Sequence, residues 1–295
     1  MGRTIACANQ KGGVGKTTTV VNLGAYLALA GERVLILDLD PQGNATSGLG
    51  FVSDITRPSV YDALIGDTSL AAIRLETAVD GLVIAPSSVA LAGAEVELAS
   101  LDQRERRTRR ILEPLVAEYD YILIDCPPSM GLLTINALTA ADGVLVPLQC
   151  EYYALEGLTQ LLRTLDLVRD HLNPALVLTG VVLTMYDART NLAADVAREA
   201  RQHLGGRVFE TVIPRSVRLS EAPSHGLPIP LYQPTSAGAA AYRSLAQEFK
   251  AHEEAETPRS HERHTQSVRS SPVEAPLPVE TSRLRTAETG EMVRS

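Results

Sequence analysis

Residues 4–18, Thr4-Ile5-Ala6-Cys7-Ala8-Asn9-Gln10-Lys11-Gly12-Gly13-Val14-Gly15-Lys16-Thr17-Thr18, decide the fold. Thr4–Ala8 reads as a buried strand, a glycine-rich turn follows, and Lys16–Ala30 reads as a helix closed by Gly31. A turn from a strand into a helix N-terminus aims backbone N–H groups and the positive end of the helix dipole at one spot, which suits a triphosphate. There the Lys16 ammonium reaches the β- and γ-phosphates and the Thr17 hydroxyl ligates Mg²⁺. Gly12, Gly13, Val14, Gly15 and Thr18 complete the phosphate cradle. A turn that only lets strand and helix pack closely needs neither the lysine nor the threonine.

Basic-residue usage supports this reading. Of 27 basic residues, lysine occurs only at Lys11, Lys16 and Lys250, and the other 24 are arginine. Two of the three lysines fall in this one loop, so these positions call for a compact ammonium on a flexible stem.

Working outward, short apolar runs alternate with helical patterns over residues 1–250, the signature of βαβ units and a parallel sheet. Strands are predicted at Thr4–Ala8, Arg33–Asp38, Leu82–Ala85, Tyr121–Asp125, Gly143–Pro147, Leu176–Thr184 and Thr211–Ile213. Several lack polar alternation, as expected of strands covered on both faces. Besides Lys16–Ala30, helices are predicted at Leu101–Tyr119, Leu155–His171, Asn191–Leu204 and Ser236–Lys250. The fold class expected is an α/β P-loop NTPase: a mostly parallel central sheet with helices on both faces. Residues 251–295 hold eight Glu, six Arg and four Pro with no aromatic, so a flexible tail is predicted after the 1–250 domain.

Composition excludes several classes. The chain is 295 residues long and 45% hydrophobic, enough for a sizeable core. Its 27 basic and 35 acidic residues sum to −8, so any nucleic-acid contact has to come from a local basic patch. No apolar run reaches the roughly 18 residues of a membrane span, and the opening MGRTIACANQ lacks a signal's apolar stretch. Cys7, Cys126 and Cys150 form no C-x-x-C, which argues against a disulfide scaffold or zinc ribbon and for reduced cytosol.

Two further apolar runs end in carboxylates: Val34-Leu35-Ile36-Leu37-Asp38-Leu39-Asp40 and Tyr121-Ile122-Leu123-Ile124-Asp125. Carboxylates at the C-terminal ends of parallel strands face the crevice where open α/β sheets bind ligands. Asp125 fits the Walker B role, holding Mg²⁺ through water.

The loop also departs from G-x-x-x-x-G-K-[ST]. Gln10 stands where the first glycine belongs, and the match is instead to the deviant Walker A form K-G-G-x-G-K-[ST]. With this loop the chain resembles the ParA/Soj family of chromosome-partitioning ATPases, in the superfamily of MinD and the nitrogenase iron protein, over about residues 3–250. Thr184-Met185-Tyr186-Asp187-Ala188-Arg189 and Ile213-Pro214-Arg215-Ser216-Val217-Arg218 also look like that family's pattern.

The resemblance implies that Lys11 crosses a dimer interface to the partner's nucleotide and that Gly12 lets the chains approach. It implies that Asp40 orients the attacking water and Asp38 supports the metal's outer shell. Met185 and Pro214 wall the adenine, and Arg189 and Arg218 contact DNA. The implied cofactors are ATP and Mg²⁺. The implied catalytic set is Lys11, Lys16 and Asp40. The implied partners are a second copy of the chain, nonspecific double-stranded DNA and a ParB-type centromere-binding protein that stimulates hydrolysis, in a cytoplasmic, nucleoid-associated setting without a membrane.

The loop's early position implies the short Soj-like subgroup. The alternative is a MinD-like membrane-surface ATPase that positions division machinery. It calls for a C-terminal amphipathic helix, which Pro272, Pro276 and Pro278 and the scarcity of large apolar groups in Glu280–Ser295 disfavour. A cluster-bearing relative is disfavoured because Cys126 has no second cysteine in a matching context.

Overall fold

The computed structural model describes residues 2–52, 57–152 and 154–256, and among these eight strands form one sheet. The chain runs β1 (Arg3–Cys7), α1 (Lys16–Leu29), β2 (Val34–Asp38), α2 (Asn44–Gly48), α3 (Val60–Ile65) and α4 (Leu70–Ile73). It continues with β3 (Leu75–Glu76), β4 (Leu82–Ala85), α5 (Leu91–Leu98), α6 (Arg107–Leu112), β5 (Tyr121–Asp125), α7 (Leu132–Ala140) and β6 (Gly143–Gln149). Then follow α8 (Ala154–His171), β7 (Val177–Tyr186), α9 (Asn191–Leu204), β8 (Val208–Pro214), α10 (Val217–Glu221), α11 (Ile229–Tyr232) and α12 (Ala237–Glu256).

The strand order is β3-β4-β2-β5-β1-β6-β7-β8, parallel throughout except for the antiparallel edge pair β3/β4. From β1 the chain goes first to β2 on one side and later to β6 on the other. The loop after β1 therefore lies where the strand order reverses, the crevice in which open α/β sheets bind ligands.

Two apolar layers sandwich the sheet, and alternate residues of each strand feed opposite layers. Leu35, Leu37, Ile122 and Ile124 face a cluster with residues of α3 and α5–α9. Val34, Ile36 and Leu123 face the other, with residues of α1, α10 and α12. Every residue of β2, β5 and β6 is buried, which explains why these strands read as unbroken apolar runs. In α8, Leu158, Leu161, Leu165 and Val168 are buried at helical spacing.

All seven predicted strands are present, with β7 extended to Tyr186 and β8 beginning at Val208. Two predicted segments need correction. Leu101–Tyr119 is not one helix but α6 between two 3₁₀ turns, Arg104–Arg106 and Glu113–Leu115. Asn136 of α7 sets its start, accepting from the Thr108 N–H at 3.1 Å and donating to the Arg104 carbonyl at 2.7 Å. Pro114, which has no N–H to continue the ladder, ends it.

The domain boundary expected at 250 falls inside α12, which runs on to Glu256. The extension is held because the His252 ring lies 5.1 Å from Phe209 and the buried Glu253 accepts from Arg3 Nε at 2.6 Å. The rest of the predicted tail, 257–295, and the segment where an amphipathic helix was sought lie outside the described residues. No helix among the described residues is long and apolar enough to cross a membrane.

Candidate nucleotide site

The loop between β1 and α1 is tied down at three points. Asn9, buried at its start, donates to the Pro147 carbonyl of β6 at 2.7 Å and accepts from the Lys11 N–H at 3.0 Å. Thr184 of β7 donates to the Val14 carbonyl at 2.8 Å. Gly13 and Gly15 have φ of +74° and +90°, a left-handed backbone that side chains resist, so glycine is required at both. Gly15 caps α1 without a side-chain bond, which leaves the first N–H groups of the helix open toward the loop.

Gly12 differs. It lacks a positive φ, and a Cβ built there meets only the Pro128 Cβ at 3.8 Å, an ordinary contact. Among the described residues nothing requires glycine at this exposed position.

A cleft of about 560 Å³ opens over the loop. Gly12, Gly13, Gly15, Lys16, Thr17 and Thr18 line it, together with Asp40. Met185 and Pro214 line it too, at the ends of the adjacent strands β7 and β8. Met185 has φ of +49°, unusual for a side chain of its size, at a register break in the β7/β8 pairing. Val14 is buried behind the loop rather than in the cleft. Lys16 is buried, with its ammonium 3.4 Å from the Lys11 carbonyl. Lys11 does not line the cleft: its half-exposed ammonium pairs with Glu151 of the same chain, whose other oxygen accepts from Gln149.

Beneath the cleft lie two carboxylates. Asp38 and Asp125 are the last residues of adjacent strands and stand in register, both with no solvent exposure. Burial pushes the Asp38 carboxyl up to about 6 against the hydrogen bonds it accepts. Asp125 is raised well above the usual carboxylate range, by burial first and the Asp38 charge second. Neither Asp125 oxygen has a partner at hydrogen-bond geometry among the described residues, although the nearby Thr17 hydroxyl and Lys16 offset part of the shift.

An orphaned buried carboxylate beside a threonine hydroxyl and an ammonium fits a hydrated Mg²⁺ carried by phosphates. No group of three or more His, Cys, Asp or Glu suited to a metal occurs among the described residues. Three of the four lone-pair sites of Asp38 are occupied, two on Oδ2 by the N–H and hydroxyl of Thr46 and one on Oδ1 by the Asp40 N–H.

Arg189 and Arg218 lie outside the cleft, exposed and paired with their own neighbours. Arg189 grips Asp187 through Nε–Oδ1 at 2.9 Å and Nη2–Oδ2 at 2.7 Å. Arg218 donates to Glu221 at 2.8 Å.

Several residues about the cleft were not predicted from the sequence. Asn22 of α1, Arg215 after β8 and Tyr242 of α12 line it, and Ser87 donates to the Asp40 carbonyl at 2.6 Å. Asn22 lies one to two turns past Lys16 on the predicted helix and Arg215 stands beside Pro214, so both were within reach. Tyr242 and Ser87 are placed by tertiary packing.

A family model described as an AAA domain matches residues 2–178. The sporulation initiation inhibitor protein Soj of Bacillus subtilis is 58% identical over 251 residues, 85% of this chain and 99% of the relative. The chromosome partitioning protein ParA of Myxococcus xanthus is 53% identical over 259 residues, 88% of this chain and 92% of the relative. A solved cobyrinic acid a,c-diamide synthase of Mycobacterium smegmatis, with bound ADP and magnesium, superposes with a TM-score of 0.76 at 41% identity, covering 86% of this chain and 96% of that one. The cell division ATPase MinD of Pyrococcus furiosus reaches 0.72 at 28% identity, covering 85% and 99%.

Proposed function

The chain belongs to the AAA domain family and, within it, to the ParA/Soj partitioning ATPases, and on that premise we propose that it is an ATP-driven switch for DNA segregation. It hydrolyses ATP with Mg²⁺. When bound, the ion neutralises charge on the β- and γ-oxygens, and the remaining work falls to the chain. Lys16 and the open N–H groups of α1 bind the phosphates, Thr17 and Asp125 fix the ion, and Asp40 orients the attacking water from the cleft wall. Met185 and Pro214 flank the base.

The finer reading is an ATP-dependent sandwich dimer in which Lys11 leaves Glu151 and engages the partner's nucleotide. The dimer binds DNA without sequence preference through Arg189 and Arg218, and a ParB-type protein stimulates hydrolysis on the nucleoid. The observation that carries the dimer is Gly12: its own chain leaves room for a side chain, so the missing side chain serves a surface that approaches from outside.

The test compares two variants by light scattering and nucleotide binding with saturating Mg-ATP. Asp40→Ala keeps the cradle, so it is expected to bind ATP, accumulate as dimer and hydrolyse about 100-fold more slowly. Gly12→Val is expected to bind ATP and stay monomeric. A Gly12→Val dimer, or an Asp40→Ala protein with parental turnover, overturns the corresponding assignment.

A further inference from the structure

Four residues near the cleft wall form a closed ring of hydrogen bonds. Asp38 Oδ2 accepts from both the N–H and the hydroxyl of Thr46, at 2.8 and 2.7 Å. The Thr46 hydroxyl oxygen accepts in turn from the Ser87 N–H at 3.0 Å. The Ser87 hydroxyl donates to the Asp40 carbonyl at 2.6 Å, and the Asp40 N–H returns to Asp38 Oδ1 at 3.2 Å. Relative exposures are 0% for Asp38, 3% for Thr46, 5% for Ser87 and 6% for Asp40, so water does not compete for these bonds.

The ring holds the Asp40 backbone from both sides. Its N–H is tied to β2 through Asp38, and its carbonyl is tied to the segment after β4 through Ser87. Its carboxylate is half-tied: Oδ1 accepts from the Gln42 N–H at 3.0 Å, while Oδ2 has no partner among the described residues. Sheet topology makes the ring possible. β4 pairs with β2 in parallel, with Ala85 opposite Leu37, which brings Ser87 level with the residues that follow Asp38. Thr46 arrives because Gly43, at φ +62°, turns the chain back into α2.

Burying a carboxylate among five donor–acceptor contacts costs stability that an apolar residue would not, and such a network is useful where it fixes geometry. Here every path through it ends on the main chain of Asp40. We propose that Thr46 and Ser87 are positioning residues for hydrolysis: with Asp38 they form a brace that sets where Asp40 holds the attacking water. This rests on the reading of Asp40 as the residue that orients that water. It gives Asp38 a task different from supporting the metal's outer shell.

Thr46 is the relay, since one hydroxyl both donates to Asp38 and accepts from Ser87. Valine has its shape and neither function, whereas serine keeps both. Ser87→Ala is the milder change, because the Asp40 carbonyl keeps the Gly43 N–H at 2.9 Å. Neither side chain belongs to the phosphate cradle, so their loss should act on turnover and not on nucleotide affinity.

The experiment measures kcat, KM for ATP, nucleotide Kd and Tm for the full chain and for Ser87→Ala, Thr46→Val, Thr46→Ser and Asp40→Ala. Ser87→Ala is expected to lower kcat about tenfold and Thr46→Val about 30-fold or more, with Kd and KM within twofold of the parent. Thr46→Ser is expected to restore kcat to within about threefold. If Asp40→Ala is inactive while Ser87→Ala and Thr46→Val turn over like the parent, the brace is wrong and the Asp40 reading stands. If Asp40→Ala is fully active, that reading falls and takes the brace with it. If Thr46→Val unfolds, Ser87→Ala decides alone. A fall in kcat matched by a fall in nucleotide affinity also overturns the proposal, because it marks a general loss of structure.

Discussion

Asp125 carries opposed demands in one side chain. For folding it is a liability, a fully buried carboxylate with no hydrogen bond and a second carboxylate in register beside it. In the proposed Mg-ATP complex it would be an asset, because a cation would repay the desolvation that the Thr17 hydroxyl and Lys16 offset only in part. Asp38 titrates near 6 in the fold against an ordinary 3.8, so between those values the folded protein holds a proton that the unfolded chain has released. The stability linked to that proton is fully present below the ordinary value and is lost as the pH rises through 6. Asp125 is shifted in the same direction. In the absence of metal and nucleotide, Asp125→Asn is therefore expected to melt higher than the parent at pH 7.5, because the amide removes a buried group that has to give up its proton there. The gap should narrow toward pH 5.5, where the parent's carboxyls are increasingly protonated. Calorimetry at several pH values checks this, and titration with ATP with and without Mg²⁺ checks the cost: the metal's contribution to affinity should shrink. A variant that melts lower than the parent at pH 7.5 would mean that the carboxylate has a partner in the fold.

The elements read most easily from sequence are those whose environment is uniform along their length. β2, β5 and β6 are buried on both faces, so their apolar runs announce them without reference to neighbours. The phosphate loop is equally legible, because its cradle is contiguous and its glycines answer to local backbone geometry. β3 was invisible: two residues become a strand only because β4 offers them an edge. The short helix α2 was not predicted either; it begins directly after Gly43 and forms where Asp38 captures the Thr46 N–H. Ser87 lies 47 residues from Asp40, and only the pairing of β4 with β2 brings them together. The end of α12 belongs to the same class. Its polar sequence around His252-Glu253 resembles the residues after it, and contacts with Phe209 and Arg3 extend the helix. Truncation after Lys250 is accordingly expected to melt below truncation after Glu256, by about 1–3 kcal/mol for the lost ring contact and buried ion pair. Glu253→Gln in the full chain should reproduce part of that loss. Equal melting temperatures for the two truncations would show that residues 251–256 add nothing to the fold.

Over the molecule as a whole, a net charge of −8 opposes the proposed DNA binding, which therefore calls for a surface whose local charge is reversed. Arg189 and Arg218 are exposed, yet each already faces an acid of its own chain. The Arg189 guanidinium lowers the Asp187 carboxyl to about 2, so that acid stays charged throughout the physiological range and no change of pH there releases the arginine. Exposed pairs of this kind are weak, and a DNA phosphate competes for the guanidinium on even terms. Two copies of the surface in the proposed ATP dimer would double the phosphate contacts, so the proposed binding is expected to depend on ATP, ignore sequence and fall steeply with salt. A surface that neutralises Z phosphates has a log–log salt slope near −0.9Z, so losing one arginine per chain from a dimer should flatten it by roughly two units. Arg189→Glu and Arg218→Glu are each expected to abolish binding while ATP hydrolysis without DNA continues, because neither side chain enters the cleft. Asp187→Asn supplies the opposite sign: removing the competing acid should raise affinity at every salt concentration while leaving Arg189 its full set of donors. The deciding measurement is a salt titration of duplex binding with ATP saturating. Charge reversals that bind like the parent, or an Asp187→Asn protein that binds no tighter, would place the DNA surface elsewhere on the molecule.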